Sequence, residues 1–344
     1  MSFVDRRLLA ALALGLAGCA VSLDDPRATP AADDAVTTLP SCPVLARPPD
    51  LMGVRGRLRA LNAPGGGTLV VADALQRAST TPLKLDNAVY VAVPQDSGAA
   101  CGVPLASDAS AAVSGLDVSA LTPSGTGGFL AVFAAGADVY AFVRTAHGFD
   151  AVGTGLARWD RASGVFVAGE RYLFAPGRPS YGDAAIVVDG HVYAYGCAES
   201  GFLTDSCFVA RAPLAALDDP TAWGFYRDGD AFASDPDDAW PLFEGGRGLT
   251  ARLLPEGRVL VAYATPLGGA VFVRTGLGPS GPWSPAVPVT RCEVPAGAFC
   301  GAMSFVPALD GAAGEIALTY AIGTFEPLAP EGLLTRIVLL PPTW

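Results

Sequence analysis

Charge is scarce in this sequence. Only 16% of its 344 residues are Asp, Glu, Lys or Arg, and a single one, Lys84, is lysine. About a quarter is usual for a soluble domain. Acids outnumber bases, leaving a net charge of −11. No basic run occurs, which argues against nucleic-acid binding, because displacing counterions from phosphates needs clustered cations. Histidine is scarcer still: His147 and His191 are the whole supply. Neither lies near a plausible serine, so a Ser-His-Asp triad is a poor reading. Two histidines and seven cysteines without a C-x-x-C pattern do not compose a zinc site, and no metal is expected. Long apolar runs are missing too. Mean hydropathy is +0.39, yet the longest apolar stretch, Leu8–Val21, falls short of the roughly 18 residues that span a bilayer. What is abundant is apolar residues, 51% of the chain, which excludes disorder. The 41 Gly and 29 Pro punctuate constantly and argue against long helices.

The N-terminus carries an address. Arg6 and Arg7 form a basic start, and Leu8 to Leu16 is an apolar region of secretory type. Leu16-Ala17-Gly18-Cys19 resembles the lipobox of bacterial lipoproteins, in which the cysteine is diacylated and becomes the new N-terminus. The resemblance implies a signal peptide at 1–18, lipidation of Cys19, and a membrane partner reached through the lipid. The alternative is an ordinary signal peptide with a chance cysteine. Residues 19–49, with Asp24, Asp25, Asp33, Asp34 and several prolines, read as a flexible tether ending near Cys42. The domain proper is expected over 50–344. Setting Cys19 aside leaves six cysteines, an even number that suits disulfides in an oxidising compartment. Cys197/Cys207 and Cys292/Cys300 are close enough to be local staples. Cys42/Cys101 would then pin the chain start to the first repeat.

One pattern recurs five times: Gly, any residue, an aliphatic, any residue, a second small or branched aliphatic. It stands at Gly67 (Leu69, Val71), Gly128 (Leu130, Val132), Gly190 (Val192, Ala194), Gly257 (Val259, Val261) and Gly314 (Ile316, Leu318). Alternation at period two predicts a half-buried strand, and the glycine before it a hairpin turn. Asp189-Gly190 suits a type I′ turn, which needs φ > 0. A second alternating run follows most copies, and an apolar stretch precedes each. The expectation is an all-β chain: a five-bladed β-propeller with about four antiparallel strands per blade. A β-sandwich with chance glycine spacing is the alternative.

Four phrases carry a family resemblance. They are Tyr181-Gly182-Asp183, Tyr193-Ala194-Tyr195-Gly196-Cys197, Val209-Ala210-Arg211-Ala212-Pro213-Leu214 and Gly281-Pro282-Trp283-Ser284. With them the chain resembles the secreted bacterial proteins grouped as domain of unknown function 4185. The resemblance implies a five-bladed propeller similar to glycosidases, some of whose members cleave arabinofuranose polymers. Members often carry Phe-Gly-Asp-Thr in blade one. The matching stretch here is Val71-Ala72-Asp73-Ala74, which keeps the acid and loses the Gly and Thr.

Glycoside hydrolysis by the usual route needs two carboxyl groups flanking one bond. Strands converge on the axis of a propeller, so acids near the starts of inner strands are the candidates. Asp183, at the start of blade three, and Asp73 form the leading pair. Glu244, ahead of Gly245-Gly246-Arg247-Gly248, and Asp50, opening blade one, are alternative partners. Each also reads as a turn or surface acid. Tyr181 and Trp240 could stack on sugar rings, and Arg247 could bind substrate or pair with Glu244. The acidic run Asp228, Asp230, Asp235, Asp237, Asp238 offers oxygens to Ca²⁺ but lacks EF-hand order, and a solvated loop is the preferred reading. The expected function is an envelope lipoprotein that recognises, and as an enzyme would hydrolyse, a glycan. The alternative is a non-catalytic propeller that binds glycan or protein.

Overall fold

The computed structural model describes residues 39–43, 51–62, 68–77, 84–92, 113–123, 125–147, 150–176, 179–202, 204–265, 269–311, 314–324 and 335–342. They form five small sheets. The first strand, β1 (Ser41–Pro43), belongs to the last sheet. Blade one is β2 (Leu51–Asn62), β3 (Thr68–Arg77), β4 (Lys84–Ala92) and β5 (Val113–Ser114). Blade two is β6 (Leu116–Asp117), β7 (Thr126–Ala135), β8 (Asp138–His147), β9 (Asp150–Asp160) and β10 (Val165–Phe174). Its order is β7-β8-β9-β10-β6, with β6 running parallel to β10. Blade three is β11 (Ala184–Val188), β12 (His191–Gly201), β13 (Thr204–Pro213), β14 (Gly224–Asp228) and β15 (Ala231–Ala233), with β16 (Phe243–Gly245) pairing β13. Blade four is β17 (Thr250–Leu253), β18 (Val259–Ala264), β19 (Ala270–Gly276) and β20 (Val287–Arg291). Blade five is β21 (Ala298–Phe305), β22 (Ile316–Thr324), β23 (Arg336–Leu340) and β1.

The first strands neighbour one another in a ring: β2, β7, β11, β17, β21 and back to β2. That arrangement is a five-bladed propeller with the inner strands around an axis. Apolar layers fill the gaps between blades one and two, two and three, three and four, and four and five. The second strand of a blade is therefore covered on both faces. In β18 every residue from Val259 to Ala264 is buried, and in β22 every residue from Ile316 to Tyr320. The expected half-buried alternation is corrected here: the intervening residues are buried as well, as in any strand sandwiched between layers. This double burial is why the chain is so apolar and so poor in charge.

Four hairpin turns between first and second strands carry a left-handed glycine: Gly136 (φ 64°), Gly190 (75°), Gly257 (84°) and Gly314 (81°). Asp189 joins Gly190 at φ 47°, giving the two positive angles that a type I′ turn requires. Blade two departs from the expected phase. Gly128 lies inside the inner strand β7, and the turn glycine is Gly136. Gly128-Phe-Leu-Ala-Val reads like a second strand locally, and only the pairing of β7 with β8 separates the two.

β1 closes the ring by pairing antiparallel with β23, Ser41 opposite Val338. The propeller thus includes a strand upstream of the expected start at residue 50. Side chains pin the closure. The Ser41 hydroxyl donates to Glu293 Oε2 (2.6 Å) and accepts from Tyr320 (2.9 Å) and Arg336 Nε (2.7 Å), while Arg336 also donates to Glu293 Oε2 (2.7 Å). The Ser41 hydroxyl and then Arg336 hold the Glu293 carboxyl below its ordinary range. A depressed carboxylate adds stability above its unfolded value, and that contribution disappears as pH falls through the folded one. Glu293→Gln is expected to be less stable than wild type at neutral pH by about 1 kcal/mol or less. Urea titrations should show the gap closing as pH falls below the glutamate range; a gap that persists in acid would contradict this account of the closure.

Two disulfides join the expected partners, Cys197–Cys207 and Cys292–Cys300. Cys19, Cys101, Asp50 and the Cys42 side chain lie outside the described residues, so the Cys42/Cys101 pairing does too.

Candidate functional site

Two cavities follow one another along the axis. One, about 380 Å³, is walled by the inner strands from Arg59, Leu130, Asp183, Thr250 and Ser304 onward. The other, about 760 Å³, lies at the starts of those strands and forms a mouth. Its wall includes Asp73, Asp183, Glu199, Asp205, Arg57, Arg144 and Arg247. Candidates Asp73, Asp183 and Arg247 therefore meet in one cavity, although 174 residues separate the first from the last.

The Tyr181-Gly182-Asp183 phrase works as an anchor, a turn and a projecting acid. Tyr181 is fully buried between blades two and three, its ring centroid 5.1 Å from Phe174 and 5.4 Å from Phe225. Gly182 turns the chain at φ 96°, and a Cβ there would lie 2.7 Å from Phe142. Asp183 then faces the axis. This corrects the expectation for Tyr181: a ring packed into the core has no face to offer a sugar.

Asp183 ties blades together. Its side chain is only 4% exposed. Arg57 of blade one donates to its carbonyl (3.1 Å) and to Oδ1 (3.4 Å), and the amide of Gly248, ahead of blade four, donates to Oδ2 (3.3 Å). Arg144 of blade two approaches Oδ1 at 3.6 Å. Two guanidinium groups thus face one buried carboxylate. Asp73, within β3, accepts from the Arg57 amide (2.8 Å) and from Arg59 (2.7 Å), with its side chain 40% exposed. Arg59 also donates to the Phe129 carbonyl at 2.8 Å, bridging blades one and two. Burial pushes the Arg59 guanidinium below its ordinary value, and Asp73 opposes that shift.

The third cluster lies on the tip of the β12–β13 hairpin. Asp205 is buried and accepts from the Arg247 amide (3.1 Å) and Nε (3.2 Å). Glu199, opposite Asp205 in the strand register, accepts from Arg247 at 3.2 Å and is 71% exposed. Arg247 therefore grips this hairpin, and the expected pairing with Glu244 is not formed. Glu244 extends blade three through β16 with its side chain exposed, and it does not line the mouth. Trp240 is half exposed beside β14, its amide donating to the Tyr226 carbonyl (2.7 Å), away from both cavities.

Arg57, Arg59, Arg144, Glu199 and Asp205 belong to the site without matching any motif in the sequence. Signals existed for some. Arg57 and Arg59 are two apart in a strand and so share a face, and Glu199 and Asp205 lie inside the segment closed by Cys197 and Cys207. Among the described residues, no group of three or more His, Cys, Asp or Glu side chains is placed to hold a metal ion. In the acidic run, Asp235 caps a short turn by accepting from the Asp237 amide (2.9 Å), and Asp238 lies 3.9 Å from Arg227. His147 contacts the Thr122 hydroxyl (3.1 Å), and His191 the Asp189 carbonyl (3.1 Å), both away from the mouth.

The molecule is thus a five-bladed propeller with a mouth of paired acids and arginines on its axis. Solved structures share that fold. A GH43_1 enzyme from Xanthomonas citri aligns over 88% of this chain and 90% of its own, at 16% identity and a TM-score of 0.52. A GH43 β-xylosidase/α-arabinofuranosidase from a compost microbial metagenome, in complex with xylotriose and calcium-free, aligns over 83% of this chain and 91% of its own, at 13% identity and a TM-score of 0.53. At such identity the likeness establishes the fold alone. Neither protein-family models nor curated protein sequences give a match to the chain.

Proposed function

We propose that this protein binds a glycan at the axial mouth and hydrolyses a glycosidic bond there, with arabinofuranose-type polymers as the first substrates to test. The observation that carries the reading is the pair of solvent-accessible carboxyls in one cavity, Asp73 from blade one and Glu199 from blade three. The fold shared with GH43 enzymes supports it. Of the four acids, Asp183 and Asp205 are buried under arginines, so they position rather than react. Glu199 would donate its proton to the leaving glycosidic oxygen. Asp73, paired with Arg59, would take the carboxylate role at the anomeric carbon, either accepting a proton from the attacking water or adding directly. Arg247, hydrogen-bonded to Glu199, would orient the acid.

The test is to incubate the protein with arabinans, arabinogalactans and xylans and follow oligosaccharide release by chromatography, with Asp73→Asn alongside. Release that depends on Asp73 supports hydrolysis. The second reading, a binding propeller without catalysis, draws on the capture of two acids by arginines and on the altered blade-one stretch Val71-Ala72-Asp73-Ala74. Binding without release would favour it.

We further propose that the chain is exported and held at the cell envelope by lipid on Cys19. The basic start, the apolar stretch, the lipobox-like Leu16-Ala17-Gly18-Cys19 and two disulfides support this. Cys19→Ala is expected to move the protein from the membrane fraction to the soluble one on detergent phase partition. Unchanged partition would overturn the anchor.

A further inference from the structure

Phe202 is 91% exposed, a rare condition for a phenylalanine. It lies at the end of the β12–β13 hairpin and lines the mouth cavity. The tip that carries it is fastened three ways. Cys197–Cys207 crosses the hairpin below it, Glu199 and Asp205 pair in register beside it, and Arg247 hydrogen-bonds both acids. An apolar ring left in water at the rim of a cavity, on a segment so firmly held, gains free energy when a ligand covers it. Phe299 also lines the cavity, next to Cys300 of the second disulfide.

We propose that Phe202 is a sugar-stacking residue that sets affinity at this mouth, and that its ligand is a neutral sugar ring. The inference rests on the glycan reading above. Aromatic faces stack on the C–H face of a ring, and flanking polar groups meet its hydroxyls. Each arginine that lines the cavity already faces a carboxyl group: Arg57 and Arg144 face Asp183, and Arg247 faces Asp205 and Glu199. Hydroxyl groups suit that surface, and a carboxylated sugar would find each of those arginines already opposed. A phenyl ring moves no proton, so Phe202 is expected to contribute binding that is equal in ground and transition states.

The experiment compares wild type, Phe202→Ala and Phe202→Trp by calorimetry against arabinotriose, xylotriose and trigalacturonate, with KM and kcat measured on any glycan that is cleaved. The ring is exposed, so folding should be unchanged by circular dichroism. Phe202→Ala is expected to weaken binding of the neutral probe by roughly tenfold and raise KM with kcat unchanged, and Phe202→Trp to restore it. A wild-type protein that binds a neutral probe as tightly as Phe202→Ala does would overturn the stacking role and leave the glycan reading standing. Tighter binding of trigalacturonate would overturn the neutral assignment. A wild-type protein that binds none of the probes would overturn the glycan reading, and this inference with it.

Discussion

Asp183→Ala is expected to lower folding stability by about 3–5 kcal/mol, the cost of stranding a buried charge when its partner is removed. The size follows from position. The Asp183 carboxylate is 4% exposed and meets Arg57 from blade one, Arg144 from blade two and the Gly248 amide ahead of blade four. Removing it leaves Arg57, itself buried, without its carboxylate and leaves the Gly248 amide without this acceptor. Because the pair spans the axis, the loss falls on contacts between blades. The double variant Arg57→Met/Asp183→Leu should recover much of the loss, since an apolar pair of similar volume needs no counter-charge. Equilibrium urea unfolding of wild type, both single variants and the double gives the coupling. A loss below about 1 kcal/mol for Asp183→Ala, on the scale of a surface pair, would show that the hub is solvated and structurally idle.

The second large effect is on activity. Asp73→Asn is expected to reduce glycan hydrolysis by about 10²–10⁴-fold, the range that a positioned acid or base supplies. The substitution keeps the shape and one oxygen for the Arg57 amide but removes the charge facing Arg59. Substrate affinity should change little, because the loss falls on the transition state. Glu199→Gln should produce a loss of the same order. If Asp73→Asn hydrolyses as well as wild type, Asp73 serves only to neutralise Arg59 and the reacting carboxyls lie elsewhere. Circular dichroism of each variant separates this from unfolding.

Much of the blade architecture was legible because it is local. A left-handed glycine, an apolar run and another turn fit within a few residues, so blades three, four and five could be phased from Gly190, Gly257 and Gly314. Blade two could not. Gly128 and Gly136 both precede aliphatic runs, and strand pairing decides between them. β1 looks like tether in the sequence because three residues show no periodicity, and their partner β23 lies almost 300 residues away. In the site, Asp183 was legible because Tyr181 and Gly182 frame it. The role of Tyr181 is not legible, since an anchor aromatic and a sugar-stacking aromatic look alike in one dimension. Glu199, Asp205 and Phe202 match no motif, although two cysteines bracket them.

By itself the sequence determined an apolar, lysine-poor chain cut into strands by glycine turns, with local cysteine pairs and a lipobox-like start. These follow from periodicity, from φ > 0 at glycine and from short spacing, all of which act between near neighbours. The tertiary structure alone decided that Arg57, Arg59 and Asp73 of blade one would meet Arg144 of blade two, Asp183 and Asp205 of blade three and Arg247 ahead of blade four. Two arginines alternating on a strand would face water in an open sheet. Here the ring turns their common face to the axis, where burial demands counter-charges from other blades.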